Sequence, residues 1–219
     1  MSRVLPILFN TDMVRAILDG RKTVTRRCVK FLNGKNPNWT GYVKDGLMLY
    51  NGTNEPCIKP CKYQPGDILY VRETWGISNL DYDGKIAYIV YKGSENEKDE
   101  GCRAVRLPED KFEKLYDSMA ENNPDWHPSI HMPKEAARIW LKVKDVRVER
   151  LQEITIDGIR NEGLTSMAVH AGDMEIALPE WKNLCNSTIK KSDLDRYGWD
   201  ANPWVWVIEF ERCEKPENM

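Results

Sequence analysis

Ile139-Trp140-Leu141-Lys142-Val143-Lys144-Asp145-Val146-Arg147-Val148-Glu149-Arg150 alternates apolar and charged side chains along most of its length. That is the period of a β-strand with one face in a core and the other in water. Working outward, Trp204-Val205-Trp206-Val207-Ile208-Glu209-Phe210 reads as a second core strand, with Trp204 and Trp206 on one buried face. Val4-Leu5-Pro6-Ile7-Leu8-Phe9 reads as a short buried strand whose proline favours an edge or bulged position. Pro65-Gly66-Asp67 signals a turn into the strand Ile68–Trp75, and residues 86–91 form another apolar run. Helices fall between these strands. Asn10-Thr11-Asp12 supplies cap chemistry for a helix over 12–19, with Gly20 at its C-terminal end. Further short helices are expected over 109–120, after Thr155 as far as Glu162-Gly163, and around 179–184. Strands dominate without a βαβ rhythm, so the class is α+β: a small β-barrel-like core with short peripheral helices.

The 219 residues, 41% hydrophobic and 30% charged, suffice for one elaborated domain and exclude disorder or a collagen-like repeat. We expect a single domain with its core over about 3–75 and 136–212. Residues 76–135, polar and punctuated by proline in their second half, read as an insertion or lid with too few apolar residues for a core of their own. No apolar run approaches the ~20 residues of a membrane span. No secretory leader pattern precedes the first strand, so a soluble, cytoplasmic protein without a membrane partner is expected.

A net charge of −2 does not mark a nucleic-acid binder. Local charge says more: from Gly20 to Lys44 there are seven Lys or Arg and no Asp or Glu. Such a segment is either a localised anion site or a solvated basic loop. The six cysteines are scattered, which in a cytoplasmic chain points to reduced thiols. Cys57-x3-Cys61 and His127-x3-His131 could supply zinc ligands, but their spacing and proline-containing context argue against it. Neither a metal nor a cofactor is expected.

Lys22 and Thr25 carry the most interesting chemistry. A partly desolvated lysine can lose its proton near neutral pH, and a hydroxyl beside it then becomes a usable nucleophile. Spacing alone does not bring them together, since residues three apart on a strand point to opposite faces.

Gly20-Arg21-Lys22-Thr23-Val24-Thr25-Arg26-Arg27 resembles the signature of ASCH domains, members of the PUA-like superfamily built as a small β-barrel with helices at its edges. Gln64-Pro65-Gly66-Asp67-Ile68-Leu69 resembles the turn opening the family's next strand, and Val148-Glu149-Arg150-Leu151 through Glu162-Gly163 resembles its strand and acidic helix end. Val71–Trp75, Pro128–Pro133 and Trp199–Phe210 resemble longer forms found in phages and prophages. Together these segments span most of the chain outside 76–126.

Small bacterial ASCH proteins include N4-acetylcytidine amidohydrolases, in which a lysine, a threonine and a glutamate carry the reaction. The resemblance assigns those roles to Lys22, Thr25 and Glu162. Thr25 would attack the acetyl carbonyl, Lys22 would take its proton, and Glu162 would orient Lys22 or help protonate the departing amine. The expected partner is therefore a modified nucleoside or RNA. Gly20, Arg21 and Arg26 would sit at the substrate, with Arg26 or nearby backbone N–H groups facing an oxyanion. Arg72, Glu73 and Trp75 are further substrate-binding candidates, Trp75 for stacking on a base and Glu73 for an exocyclic amine. Two other functions stand beside this one: a noncatalytic RNA-binding module and, with less support, a ribonuclease. The chain's greater length than those small enzymes leaves room for a different substrate.

Overall fold

The computed structural model describes residues 2–32, 43–44, 48–49, 58–94, 102–121 and 126–217. Its strands are β1 (Val4–Leu8), β2 (Val24–Cys28), β3 (Val43–Lys44), β4 (Met48–Leu49), β5 (Ile68–Arg72), β6 (Trp75–Asp81), β7 (Ile86–Tyr91), β8 (Cys102–Arg106), β9 (Trp140–Arg150) and β10 (Trp204–Cys213). Its helices are α1 (Thr11–Leu18), α2 (Glu109–Glu121), α3 (Ile156–Asn161), α4 (Met167–Ala171), α5 (Met174–Ser187) and α6 (Leu194–Tyr197). The class is α+β. Among the described residues the paired strands form open sheets and do not close into a barrel. No helix among them is long and apolar enough to cross a membrane.

The chain divides into two compact units. The first takes Met1–Asp19, Ile68–Leu141 and Arg212–Met219. In it β1 runs parallel to β5, pairing Val4 with Ile68 through Leu8 with Arg72. Pro6 lies on an outer strand, where its missing N–H costs no ladder bond. Asn10 caps α1 by accepting from Met13 N at 2.9 Å, a contact worth ~1 kcal/mol. Strands β6, β7 and β8 form an antiparallel meander. Residues 76–135, expected to have no core of their own, contribute to one that they share with flanking residues. Ala87, Ile89, Tyr91, Val105, Leu107, Phe112 and Met132 are buried together with Tyr70, Trp75 and Trp140. Pairing gathers short apolar alternations that look sparse in sequence, and Phe112 of α2 seals them. Each large side chain buried in this way contributes about 1.5–3 kcal/mol.

The second unit takes Gly20–Asp67 and Lys142–Glu211. Strand β2 pairs antiparallel with β10, Thr25 opposite Ile208 and Arg26 opposite Val207. From Lys142 onward β9 lies on the other side of β10. Val24, Val205 and Val207 on one face of this pair join Leu151, Ile159, Val169 and Trp181 in a buried cluster, so α3, α4 and α5 cover that face. Helix α5 starts at Met174, earlier than Pro179 suggests, because Asp173 accepts from Glu175 N and Ile176 N and fixes the first turn.

Candidate functional site

The site grows from the junction of Gly20 with β2 in the second unit. Gly20 adopts φ +73°, a left-handed conformation natural to a residue after a helix. The next residues then pair with the end of α3. Thr155 caps that helix by accepting from Gly158 N, and Glu162 ends it, followed by Gly163 at φ +100°. Lys22 and Glu162 form an isolated antiparallel bridge, and Thr23 N donates to Asn161 O at 2.9 Å. Arg21 Nη1 donates to Gly163 O at 2.6 Å, which spends this guanidinium on backbone.

Register thereby forces the Lys22 and Glu162 side chains together. Lys22 Nζ donates to Glu162 Oε2 at 2.5 Å, to Val24 O at 2.8 Å and to Glu162 O at 3.1 Å. The two side chains are 0% and 3% exposed. Three acceptors for three protons define a resting ammonium. Burial pushes the Lys22 pKa below the ordinary lysine range, and the Glu162 carboxylate pulls in the opposite direction.

Glu162 serves a second cation. Its Oε1 accepts from Arg26 Nη1 at 3.1 Å, and Arg26 Nη2 reaches Glu149 Oε2 at 3.4 Å. Glu149 in turn accepts from Arg147 Nε at 2.6 Å, and Arg147 also donates to Glu209. Signs alternate along Lys22, Glu162, Arg26, Glu149, Arg147 and Glu209, from a buried end to a half-exposed one. Gly158 on α3 lets the helix approach this chain of charges. A Cβ there would stand 2.9 Å from Ile154 Cγ1 and 3.1 Å from Arg26 Nη2. Gly158→Ala is therefore expected to lower the denaturation midpoint, although alanine favours a helix interior by about 1 kcal/mol over glycine. A raised midpoint in a urea titration would show that Arg26 yields freely.

Thr25 is buried at 2% exposure. Its hydroxyl takes no part in this hydrogen-bonded cluster. Strand alternation sets Thr25 with Arg27 on one face of β2, opposite Ile208 and Trp206, and sets Val24 with Arg26 on the other. The ammonium nonetheless lies against the peptide joining Val24 to Thr25, through its bond to Val24 O. Arg27, Trp206 and Ile208 on the Thr25 face help line a cavity of about 310 Å³, together with Lys30, Lys59 and Tyr63 among others, and Lys22, Thr25 and Glu162 are not part of its lining. Arg27, Lys59 and Tyr63 did not emerge as site residues from sequence. The two-residue step from Thr25 to Arg27 and the Lys59–Tyr63 cluster of lysines and a tyrosine are the signals that could have found them.

Arg72, Glu73 and Trp75 belong to the first unit. Glu73 is buried, and Arg138 donates to both its oxygens at 2.9 Å. Arg72 Nη1 donates to Ile130 O at 3.1 Å, and Trp75 stacks on His127 with ring centroids 4.6 Å apart. Of the possible zinc ligands, Cys57 lies outside the described residues, and no three His, Cys, Asp or Glu gather as a metal site among the described ones.

The crystal structure of an ASCH domain from Lactobacillus crispatus JV V101 is similar to this chain with a TM-score of 0.36 and 10% identity. The match covers 96% of this chain and 79% of that one. No family model and no curated protein matches the chain.

Proposed function

We propose that the second unit hydrolyses the amide of an acylated nucleobase, of the N4-acetylcytidine kind, with Thr25 as nucleophile and the Lys22–Glu162 pair as its proton-transfer device. The observation that carries this reading is the burial of Lys22, Glu162 and Thr25, each at 4% exposure or less, around one stretch of backbone. A buried ion pair is a poor source of stability compared with apolar residues of similar volume, so its presence against the peptide that joins Val24 to Thr25 calls for another role. Basic side chains and two aromatic residues in the cavity on the Thr25 face suit a base carrying sugar hydroxyls or phosphate.

The chemistry runs in balanced steps. A proton passes from Lys22 Nζ to Glu162 Oε2 along their 2.5 Å contact, which leaves a lone pair on the amine. Nζ exchanges the Val24 carbonyl for the Thr25 hydroxyl and takes its proton as Oγ1 bonds to the acyl carbon. When the tetrahedral adduct collapses, the C–N bond breaks, and the Lys22 ammonium returns that proton to the departing amine. Water then cleaves the threonyl ester: Lys22 takes a proton from the water and passes it to Thr25 Oγ1 as the acid leaves, and Glu162 returns its proton to Nζ, which restores the resting pair. Turnover of N4-acetylcytidine, read as cytidine released, is expected for the intact chain and is abolished by Thr25→Val, which keeps the shape and removes the hydroxyl. Absence of turnover on any acylated nucleoside overturns the reading.

The full engagement of Lys22 favours a second reading, a noncatalytic RNA-binding module in which the pair is structural. RNA affinity would then fall steeply with salt and survive Thr25→Val unchanged.

A further inference from the structure

The first unit contains a cleft of about 750 Å³ that the proposed chemistry does not use, within the range of small-ligand sites. Its charge is one-sided. Arg72, Lys111, Lys114 and Lys134 line it, and among the described residues no carboxylate does. Glu135, which is not part of the lining, holds Lys111 at 2.7 Å. The walls between these cations are apolar and aromatic, with Tyr70, Trp75 and Met132 among them.

Unpartnered polar atoms give the second observation. Trp75 Nε1 and Arg72 Nε are buried without a hydrogen-bond partner, as is His127 Nε2. The first two can only donate. A buried donor left unsatisfied costs about 1–3 kcal/mol, so orphaned donors on residues lining one cleft point to an acceptor supplied from outside. The scaffold holding them is fixed. Trp75 is 2% exposed, and it exchanges backbone hydrogen bonds with His127 in both directions, at 3.3 and 2.7 Å. Burial and nearby His131 push the His127 pKa down, which keeps that imidazole neutral near pH 7.

We infer that this cleft binds a mononucleotide, its phosphate among Arg72, Lys114 and Lys134 and its base against the aromatic and apolar wall. Bare phosphate would satisfy the cations but leave most of the apolar lining in water. An uncharged nucleoside would bring no anion to the basic side of the cleft. The inference does not depend on hydrolysis by the second unit.

Calorimetric titration of the intact chain with nucleoside 5′-monophosphates tests it. Saturable binding is expected, weakened at least tenfold for the matching nucleosides and for inorganic phosphate. Lys114→Glu, a change at an exposed helix position, is expected to weaken nucleotide binding at least tenfold with unchanged circular dichroism. Trp75→Phe removes the indole donor and is expected to weaken binding in the same direction. Thr25→Val leaves binding in place, which separates this site from the hydrolytic one. Equal affinity for inorganic phosphate, binding insensitive to Lys114→Glu, binding of RNA oligomers but not mononucleotides, or no binding at all would each overturn the inference.

Discussion

Glu162→Leu unfolds the chain at a much lower urea concentration than Lys22→Met does. The two residues share one ion pair, yet their removal leaves different remainders. Without Glu162, Lys22 Nζ loses its carboxylate and keeps the carbonyls of Val24 and residue 162, and Arg26 keeps the longer contact to Glu149 at 3.4 Å and the face of Trp181. Two buried cations are then left short of counter-charge, and breaking a buried pair in this way costs about 3–5 kcal/mol. Without Lys22, Glu162 still has Arg26 at 3.1 Å, and a methionine fills the space left by the lysine stem. We expect Lys22→Met to cost roughly half as much or less, since Arg26 leaves Glu162 with a counter-charge and the cost of a broken pair comes from the charge left uncompensated. Urea titrations followed by circular dichroism measure both. Equal costs, or a larger cost for Lys22→Met, would show that Arg26 does not support Glu162.

Lys22→Arg separates charge from proton transfer. Arginine keeps the positive charge beside Glu162 but does not give up a proton at accessible pH. The variant is expected to remain folded and to lose about 10²–10⁴-fold in kcat, the usual span of general acid–base contributions. In the unaltered protein transfer to Glu162 makes only a fraction of the amine neutral below the folded pKa of Lys22. Above it, loss of the shared proton to solvent frees all of the amine, so kcat rises with pH and levels off there. Burial depresses that pKa, and the rising limb therefore lies below the ordinary lysine value of 10.5. A limb at or above that value, or an active Lys22→Arg enzyme, would remove Lys22 from the chemistry.

What the sequence discloses follows from how local each feature is. The 139–150 alternation gives β9 nearly to the residue, and Thr155 with Gly163 brackets α3. Both are written in neighbouring side chains. Strand β8 and the core of the first unit are not, because Val105, Phe112 and Met132 become a cluster only through pairing and packing between distant segments. The same holds within the site. The resemblance assigns Lys22, Thr25 and Glu162 their roles, but the Arg26–Glu149–Arg147 continuation depends on β9 and β10 lying side by side. The partner of Glu73 is hidden in the sequence for a related reason: Arg138 is 65 positions away.

Acid-quenched mass spectrometry during turnover of N4-acetylcytidine tests the central claim most directly. An acetyl group carried on the peptide containing Thr25, chased off by water and absent from Thr25→Val, is the predicted result. Steady release of cytidine with no acetyl ever found on Thr25 would contradict it.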